Sequence, residues 1–328
     1  MQAAYYERTG PAAEVLTLGD LPDPKPGPGE VRVRLRWSGV NPSDVKSRAG
    51  LRSKQLAFPR IVPHSDGMGV IDAVGEGVSL ARVGERVWVW NAAWGRPGGT
   101  AAQFVVLPSR QAVVLPDLTP DEAGACLGIP ALTALHAVLT GGGVEGRTVL
   151  VAGGAGAVGH YAVQFAKRLG ARRVIATVSS DEKAAIAREA GADLAIDYRR
   201  ENVAERVREA TDGHGAERVI EVDIAANRLL DLDLIASGGD CVVYGSGQGE
   251  FALPFFPLIV KNVTLRFFIV YNLADADRER AEAVLADLLQ RGVLQHRIAQ
   301  RLPLAQIVQA HELVESGHAI GNVVVELP

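Results

Sequence analysis

The sequence predicts an α/β protein with two domains, a doubly wound parallel sheet and a β-rich, barrel-like unit. The chain has 328 residues, of which 48% are hydrophobic, enough for a large core that divides into two domains. Up to Leu115, short alternating runs are separated by Gly and Pro, as in partly buried antiparallel strands. Beyond Thr119, strands alternate with helices, which is typical of a parallel sheet.

Five short runs predict the barrel-like unit. In the first, apolar residues at positions 31, 33, 35 and 37 alternate with arginines at 32, 34 and 36. The others lie at 70–74, 86–90, 104–107 and 112–115. Their spacing is too irregular for a repeat protein, so they indicate one compact unit.

The pattern changes at Thr119-Pro120-Asp121-Glu122, where a helix is predicted to begin. Thr119 can cap it, Pro120 suits the first helical position and Glu122 completes a capping box. Six strands follow at 148–152, 173–178, 194–198, 218–222, 240–244 and 265–271, with helical segments between them. This order predicts the doubly wound sheet.

The last part of the chain is predicted as two amphipathic helices and a strand. This part starts at about Asp275, its two helices end near Arg291 and Glu315, and the strand lies at 323–327. This strand can return to the first domain. We therefore place one domain at 1–121 with 273–328 and the other at 122–272.

The most informative motif is a glycine-rich turn, Gly154-Ala155-Gly156-Ala157-Val158-Gly159. It follows an apolar strand and precedes a helix with one apolar face, for which Gly170 is a plausible stop. Gly154 permits the tight turn, Gly156 lets backbone amides approach a pyrophosphate, and Gly159 lets helix and strand pack closely. The motif in this context predicts a dinucleotide site with the phosphates at the positive helix end.

The end of the next strand bears on which dinucleotide binds. A site that prefers NAD usually has Asp or Glu about 20 residues past the glycine motif, to hold the ribose 2′-hydroxyl. Here the strand ends in Ser179 and Ser180, which leave room for a 2′-phosphate, and Lys183 offers it a cation. Asp181 is the counter-argument, since an acid slightly later can still face the ribose. The sequence favours NADPH.

Composition excludes several classes of function. The net charge is −4 and no basic run stands out, so nucleic acid and anionic membranes are not expected partners. Two cysteines, Cys126 and Cys241, are too few for a disulfide framework and indicate two buried thiols. No signal peptide or membrane-spanning run is evident, so we expect a cytoplasmic protein.

Several segments carry a family resemblance over essentially the whole chain: Ser38-Gly39-Val40-Asn41-Pro42-Ser43-Asp44, Pro63-His64-Ser65-Asp66 with Gly69 and Val74-Gly75-Glu76-Gly77, Gly84-Glu85-Arg86-Val87, and the turn from Val149 to Gly159. With them the chain resembles the quinone oxidoreductase (zeta-crystallin-like) branch of the zinc-free medium-chain dehydrogenase/reductase superfamily. The resemblance implies a Rossmann dinucleotide domain and a GroES-like catalytic domain.

No metal is expected. Zinc-dependent relatives have a cysteine near the position of Asn41 and a histidine one residue beyond His64, where this chain has Ser65. Asn and Ser are poor zinc ligands, and the two cysteines lie elsewhere. These motifs therefore cannot supply a tetrahedral nitrogen-and-sulfur site.

The resemblance also implies the cofactor contacts along a cleft. Near the nicotinamide they are Asn41 and Thr133. The remaining contacts are Gly154, Ala155, Gly156, Ala157, Val158 and Gly159 on the pyrophosphate, Ser179, Ser180, Lys183 and Tyr198 around the adenosine phosphate, and Asn227, Tyr244, Gly245, Ser246, Gly247, Phe268, Ile269 and Val270 elsewhere. Two positions depart from the family: Lys46 replaces a frequent tyrosine, and Gly321-Asn322 replaces a basic residue, with Asn322 kept as a candidate contact.

Without zinc, hydride transfer needs a hydrogen-bond donor to polarise the acceptor. Asn41, Lys46 and His64 are the candidates. A quinone or enone suits such a site, because conjugation spreads the developing charge. Five aromatic residues are expected near the cleft and can flank a planar substrate, although core packing explains each equally well: Trp90, Trp94, Phe255, Phe256 and Tyr271.

We therefore predict an NADPH-dependent reductase of quinones or other conjugated carbonyls. Two alternatives stay open: an NADPH-dependent enone or enoyl reductase, and a low-turnover NADPH-binding protein of the crystallin-like or RNA-binding kind. The strand at 265–271 is expected at a sheet edge, where it can pair with its mate in a homodimer; a tetramer is the alternative.

Overall fold

A computed structural model describes all 328 residues, which form two compact units. The first unit comprises Met1–Pro130 and Ala286–Pro328, and the second comprises Ala131–Leu285. Both breaks lie later in the chain than the domain limits expected from the sequence.

The structure contains fifteen strands and eleven α-helices. The strands are β1 (Gln2–Tyr5), β2 (Thr17–Asp20), β3 (Glu30–Val40), β4 (Asp66–Val74), β5 (Arg86–Val89), β6 (Phe104–Pro108), β7 (Ala112–Val114), β8 (Thr148–Val151), β9 (Arg173–Val178), β10 (Leu194–Asp197), β11 (Ala216–Glu221), β12 (Ile235–Val243), β13 (Thr264–Phe267), β14 (Ile298–Pro303) and β15 (Asn322–Glu326). The helices are α1 (Ala12–Val15), α2 (Pro42–Arg48), α3 (Asp121–Gly124), α4 (Leu132–Leu139), α5 (Ala157–Arg168), α6 (Asp181–Glu189), α7 (Val203–Ala210), α8 (Ile224–Leu234), α9 (Phe255–Val260), α10 (Asp275–Gln290) and α11 (Ile307–Ser316).

Strand β3 organises the sheet of the first unit. The strand order is β14-β15-β3-β4-β5-β7, with β6 also paired to β3. The apolar residues of β3 are buried while Arg34 and Arg36 are exposed, so the predicted alternation is confirmed. β15 pairs antiparallel with β3, with Val323 opposite Val40, so the C-terminal strand does return to the first unit.

The second unit contains a six-stranded sheet in the order β10-β9-β8-β11-β12-β13. Every neighbouring pair is parallel, as predicted. The central strand β8 is buried along its whole length, as expected of a strand with both faces covered. The chain moves outward from β8 to β10 and then crosses to β11. Ligands bind at the carboxyl ends of strands beside such a reversal, here β8 and β11.

Three details of the secondary structure predicted from the sequence were wrong. Thr119 does not cap α3: Pro120 occupies the N-cap position, and the Thr119 hydroxyl has no hydrogen-bond partner. The Thr119 carbonyl instead accepts from the Arg86 guanidinium, and Glu122 pairs with Arg301. The predicted strand 265–271 ends at Phe267 and continues as a 3-10 turn at Val270–Asn272.

Strand β14 was not predicted. Its residues Gln300, Arg301 and Pro303 are exposed, so no alternating apolar pattern marks it. Parallel pairing with β15 forms it at the edge of the sheet.

Both cysteines are buried and free, as expected. None of the helices combines the length and the apolar character needed to span a lipid bilayer.

Candidate active site

The glycine turn joins the end of β8 to the start of α5. Gly153, one residue before the motif, has a φ of +67°, so the left-handed residue of the turn is Gly153 rather than Gly154. Gly154 is required for another reason, because a Cβ there would lie 2.5 Å from the Cβ of Ala176 in β9. A Cβ at Gly159 would lie 2.8 Å from the carbonyl carbon of Gly153. Strand, turn and helix are thus too close for a side chain at either position.

The N-terminal end of α5 presents backbone amides to an anion. The first intrahelical bond runs from the His160 N–H to the Gly156 carbonyl, over 2.9 Å. The N–H groups of residues 157–159 therefore have no acceptor within the helix. A Cβ at Gly156 would meet only the Gly153 carbonyl oxygen, at 3.3 Å, so the space before these amides is open. A pyrophosphate fits this end of the helix.

Ser179, Ser180 and Lys183 come together where β9 ends and α6 begins. The Ser180 hydroxyl caps the helix by accepting from the Lys183 N–H at 3.3 Å. The Lys183 ammonium donates to Ser179 Oγ at 3.0 Å. A cation and two hydroxyls therefore lie at the strand end where the ribose of a dinucleotide is held in this fold.

Asp181 is the acidic residue that would favour NADH, and it is paired with a cation. Its carboxylate is 84% exposed and lies 2.9 Å from Nη1 of Arg200. Arg200 follows β10, two residues beyond Tyr198, which is 52% exposed. Sequence reasoning missed Arg200, because nothing local shows that the turn after β10 reaches the start of α6.

A buried carboxyl, that of Glu221, ties together the loops after β11 and β12. Oε1 of Glu221 accepts from the Asp223 N–H and from Nδ2 of Asn227, the latter at 3.0 Å. Asp223 Oδ1 accepts in turn from the Gly247 N–H at 2.7 Å. Two predicted cofactor contacts, Asn227 and the segment 244–247, are therefore held through Glu221. Sequence reasoning missed it, because a glutamate ending a strand gives no sign of burial.

The other cofactor candidates of the second unit lie near Phe268. Its ring centroid is 4.6 Å from that of His136 in α4 and 6.5 Å from that of Tyr244. Thr133, on the turn of α4 before His136, is 5% exposed. The Val270 carbonyl accepts from the Arg278 guanidinium at 2.5 Å, which fixes the end of the segment 268–270.

Asn41, in the first unit, is held by two buried acids. It is 3% exposed and is the N-cap of α2, where its backbone N–H donates to Asp44 Oδ2 at 2.8 Å. Its side-chain Nδ2 donates to Asp66 Oδ2 at 3.0 Å. Burial raises the pKa of Asp44 to about 7 and the pKa of Asp66 well above its usual range. The Asn41 amide is thus fixed in orientation, and its nitrogen carries a second N–H for another acceptor.

His64 does not fit the role of carbonyl-polarising group that the sequence suggested. Its side chain is 0% exposed, and its Nδ1 and Nε2 lie 2.8 Å from Ser38 Oγ and 2.9 Å from His311 Nε2. Both ring nitrogens are therefore engaged inside the first unit. The sequence could not show this, because His311 lies 247 residues away in the chain.

The proton positions along this buried chain follow by elimination. Thr100 Oγ1 must donate to the carbonyl of Asp66, 2.5 Å away, because a carbonyl oxygen can only accept. The Thr100 hydroxyl therefore accepts from the Ser38 hydroxyl. Since the proton of Ser38 is then used, Ser38 Oγ accepts from Nδ1–H of His64. Nε2 of His64 then accepts from His311. Both rings are neutral, and burial lowers the pKa of His64 to about 3.

The remaining candidates of the first unit are Lys46 and Asn322. Lys46 is half-buried in the last turn of α2. Asn322 is 6% exposed, and both its backbone N–H and its Nδ2 donate to the Arg297 carbonyl, at 2.9 and 3.0 Å. This anchors the start of β15. No three His, Cys, Asp or Glu side chains gather in a group that could hold a metal ion.

The five candidate aromatics divide by burial. Trp90 and Tyr271 are 4% and 8% exposed and contribute to packing, whereas Trp94 is 40% exposed. Phe255 and Phe256 of α9 are 65% and 72% exposed. Only these last three present large apolar area to a ligand or a partner.

Two family models match the chain. Residues 27–117 match the alcohol dehydrogenase GroES-like domain, and residues 157–290 match the zinc-binding dehydrogenases. Each match falls mainly within one of the two units.

Full-length relatives are also similar. The quinone oxidoreductase of Pseudomonas aeruginosa is 34% identical over 320 residues, 95% of each chain. The 2-haloacrylate reductase of a Burkholderia species is 32% identical, with 99% of this chain and 98% of the relative covered. The solved structure of Escherichia coli quinone oxidoreductase complexed with NADPH has a TM-score of 0.87 and 25% identity, covering 99% of this chain and 100% of that one.

Proposed function

The chain belongs to the quinone oxidoreductase branch of the zinc-free medium-chain dehydrogenase/reductase superfamily, and on that basis we propose that it reduces quinones or other conjugated carbonyl compounds with NADPH. The observation that supports NADPH as the cofactor is the hydrogen bond between Lys183 and Ser179, beside the capped start of α6. It supplies a cation and hydroxyl donors for a 2′-phosphate, while the acid that would favour NADH is paired with Arg200.

The residues at the glycine turn fit the dinucleotide. The amides of residues 157–159 bind the pyrophosphate, and the open side of Gly156 lets it approach. Asn227 and the segment 244–247, both held through Glu221, bind the remainder of the molecule. The reduced nicotinamide supplies the hydride when NADPH is bound.

Asn41 is the proposed donor to the substrate oxygen. One N–H of its amide is held by Asp66, so the second N–H points in a fixed direction and can stabilise negative charge that develops on oxygen. Lys46 is the second candidate for this role. A neutral donor suffices for a quinone or enone, because conjugation spreads the charge, whereas a simple ketone needs stronger polarisation.

Reduction of a conjugated acid or enone is a second candidate function. It is favoured by the similarity to 2-haloacrylate reductase over 99% of this chain. NADPH oxidation with a quinone but not with a 2-haloacrylate supports the first function, and the reverse supports the second. Tight NADPH binding without turnover of any acceptor would instead favour a low-turnover, crystallin-like protein.

A homodimer formed through β13 is part of the proposal. β13 is the outer strand of its sheet, and Phe267 on it is 58% exposed. The nearby helix α9 exposes Phe255, Phe256 and Val260. An exposed apolar edge of this kind is suited to pairing with a second copy. The two free cysteines fit a cytoplasmic location, which we also propose.

A further inference from the structure

Two buried carboxyls meet at the carboxyl end of β11. Glu221 is 0% exposed and Asp231, on α8, is 4% exposed. Their carboxyl groups lie within hydrogen-bonding reach of each other. Oε2 of Glu221 and Oδ2 of Asp231 are buried, and no residue outside this pair donates a hydrogen bond to either oxygen. Two ionised carboxylates this close, buried and without another donor, would repel each other, so one proton lies between them.

The groups around the pair decide which carboxyl holds the proton. Glu221 already accepts from the Asp223 N–H and from Asn227, and these bonds stabilise its ionised form. Burial and the neighbouring Glu221 carboxylate raise the pKa of Asp231. Asp231 is therefore the proton donor and Glu221 the acceptor.

No cation faces the pair directly. The other polar groups near it are Asp223 from the loop after β11, Asn227 from α8, and Cys241 and Tyr244 from β12 and its end. Arg218 acts on Cys241 but is bonded to Asp240. Loss of the shared proton would thus leave two negative charges buried together, with no nearby cation to offset them.

We propose that the proton shared by Glu221 and Asp231 positions Asn227 and the segment 244–247 for NADPH, so that losing this proton at alkaline pH weakens cofactor binding. The inference rests on the proposed function, in which these residues contact the cofactor. Asp231 donates to one oxygen of Glu221, and the other oxygen holds Asn227 and Asp223. When the Asp231 carboxyl releases its proton to solvent, repulsion separates the two carboxylates. Asn227 and the Asp223–Gly247 link then lose their anchor.

The test is the dissociation constant of NADPH, measured by fluorescence from about pH 7 to about pH 10, with circular dichroism at each pH to confirm that the protein stays folded. For the unmodified protein the constant should rise with pH by up to about tenfold per pH unit. Asp231→Asn keeps a donor that cannot titrate, so its profile should stay flat. Glu221→Gln should also give a flat profile, because its amide donates to Asp231 while its oxygen still accepts from Asn227; it replaces Asp231→Asn should that variant not fold.

The matched control is Asp233→Asn. Asp233 lies on the same helix but is about half exposed and pairs with Arg208, so this variant should keep the unmodified profile. A flat profile for the unmodified protein, or a titrating profile for both amide variants, would overturn the shared-proton inference alone. Failure of the unmodified protein to bind NADPH at any pH would contradict the proposed function as well.

Discussion

Substituting Gly156 by alanine tests whether a pyrophosphate binds at the start of α5. Gly156 has φ −75° and ψ 174°, which alanine adopts without strain, and the added Cβ meets one protein atom at 3.3 Å. We therefore expect a stability loss of under about 1 kcal/mol. The methyl group occupies the space before the helix amides, so it should interfere with binding rather than with folding.

The size of the binding effect follows from the bonds that are displaced. An N–H bond to a charged oxygen contributes about 1.5–3 kcal/mol. Losing one such bond to the pyrophosphate weakens binding by roughly 10- to 150-fold. Fluorescence titration with NADPH measures this directly, and urea unfolding measures the stability.

Two further glycines serve as controls. Gly159→Ala places a Cβ 2.8 Å from the Gly153 carbonyl carbon, so it should lower the free energy of unfolding by about 1–3 kcal/mol. The Cβ of Gly249→Ala would meet no atom within 4 Å, so this variant should change neither NADPH binding nor the free energy of unfolding. If Gly156→Ala folded normally and bound NADPH as tightly as the unmodified protein, the pyrophosphate would not lie at this turn.

Three more predictions concern the cofactor, acid stability and assembly. Lys183→Ala should weaken NADPH binding by about tenfold or more and leave NADH binding unchanged, while Arg188→Ala on the same helix should alter neither; equal losses for both cofactors would contradict the phosphate role. Because the folded-state pKa of His64 is lowered to about 3 and that of His311 is also lowered, only the unfolded chain takes up these protons below about pH 6.5. Relative to His311→Gln, the free energy of unfolding of the unmodified protein should therefore fall by up to about 1.4 kcal/mol for each unit by which the pH decreases below about 6.5; a difference that stays constant with pH in urea unfolding would refute this. Phe267→Lys should yield monomers in analytical ultracentrifugation while Val114→Lys, similarly exposed in the first unit, should not; a dimer that persists in Phe267→Lys would exclude the β13 edge.

Features encoded by local pattern were predictable from the sequence. The strand, glycine turn and helix around residues 148–168 follow from apolar periodicity and glycine spacing, and the order of strands gave the parallel sheet. Because Ser179, Ser180 and Lys183 lie within five residues, their joint position at the start of α6 could also be predicted from the sequence.

What the sequence could not show depends on contacts between distant segments. His64 looked like a pocket residue until His311 and Ser38 were seen to engage its two nitrogens. Thr119 has the residue type of a helix cap, yet its carbonyl is taken by Arg86 and the helix begins without a side-chain cap. The Glu221–Asp231 pair is invisible in the sequence, because both residues are ordinary surface types until the fold buries them.

The most direct measurement is kcat/KM with NADPH for a quinone, for an enone and for the saturated ketone that matches the enone. If Asn41 is a neutral donor that depends on conjugation to spread charge, the quinone or the enone should be turned over and the saturated ketone should react at least about 100-fold more slowly. Turnover of the saturated ketone alone, or activity that requires NADH in place of NADPH, would contradict the proposed function.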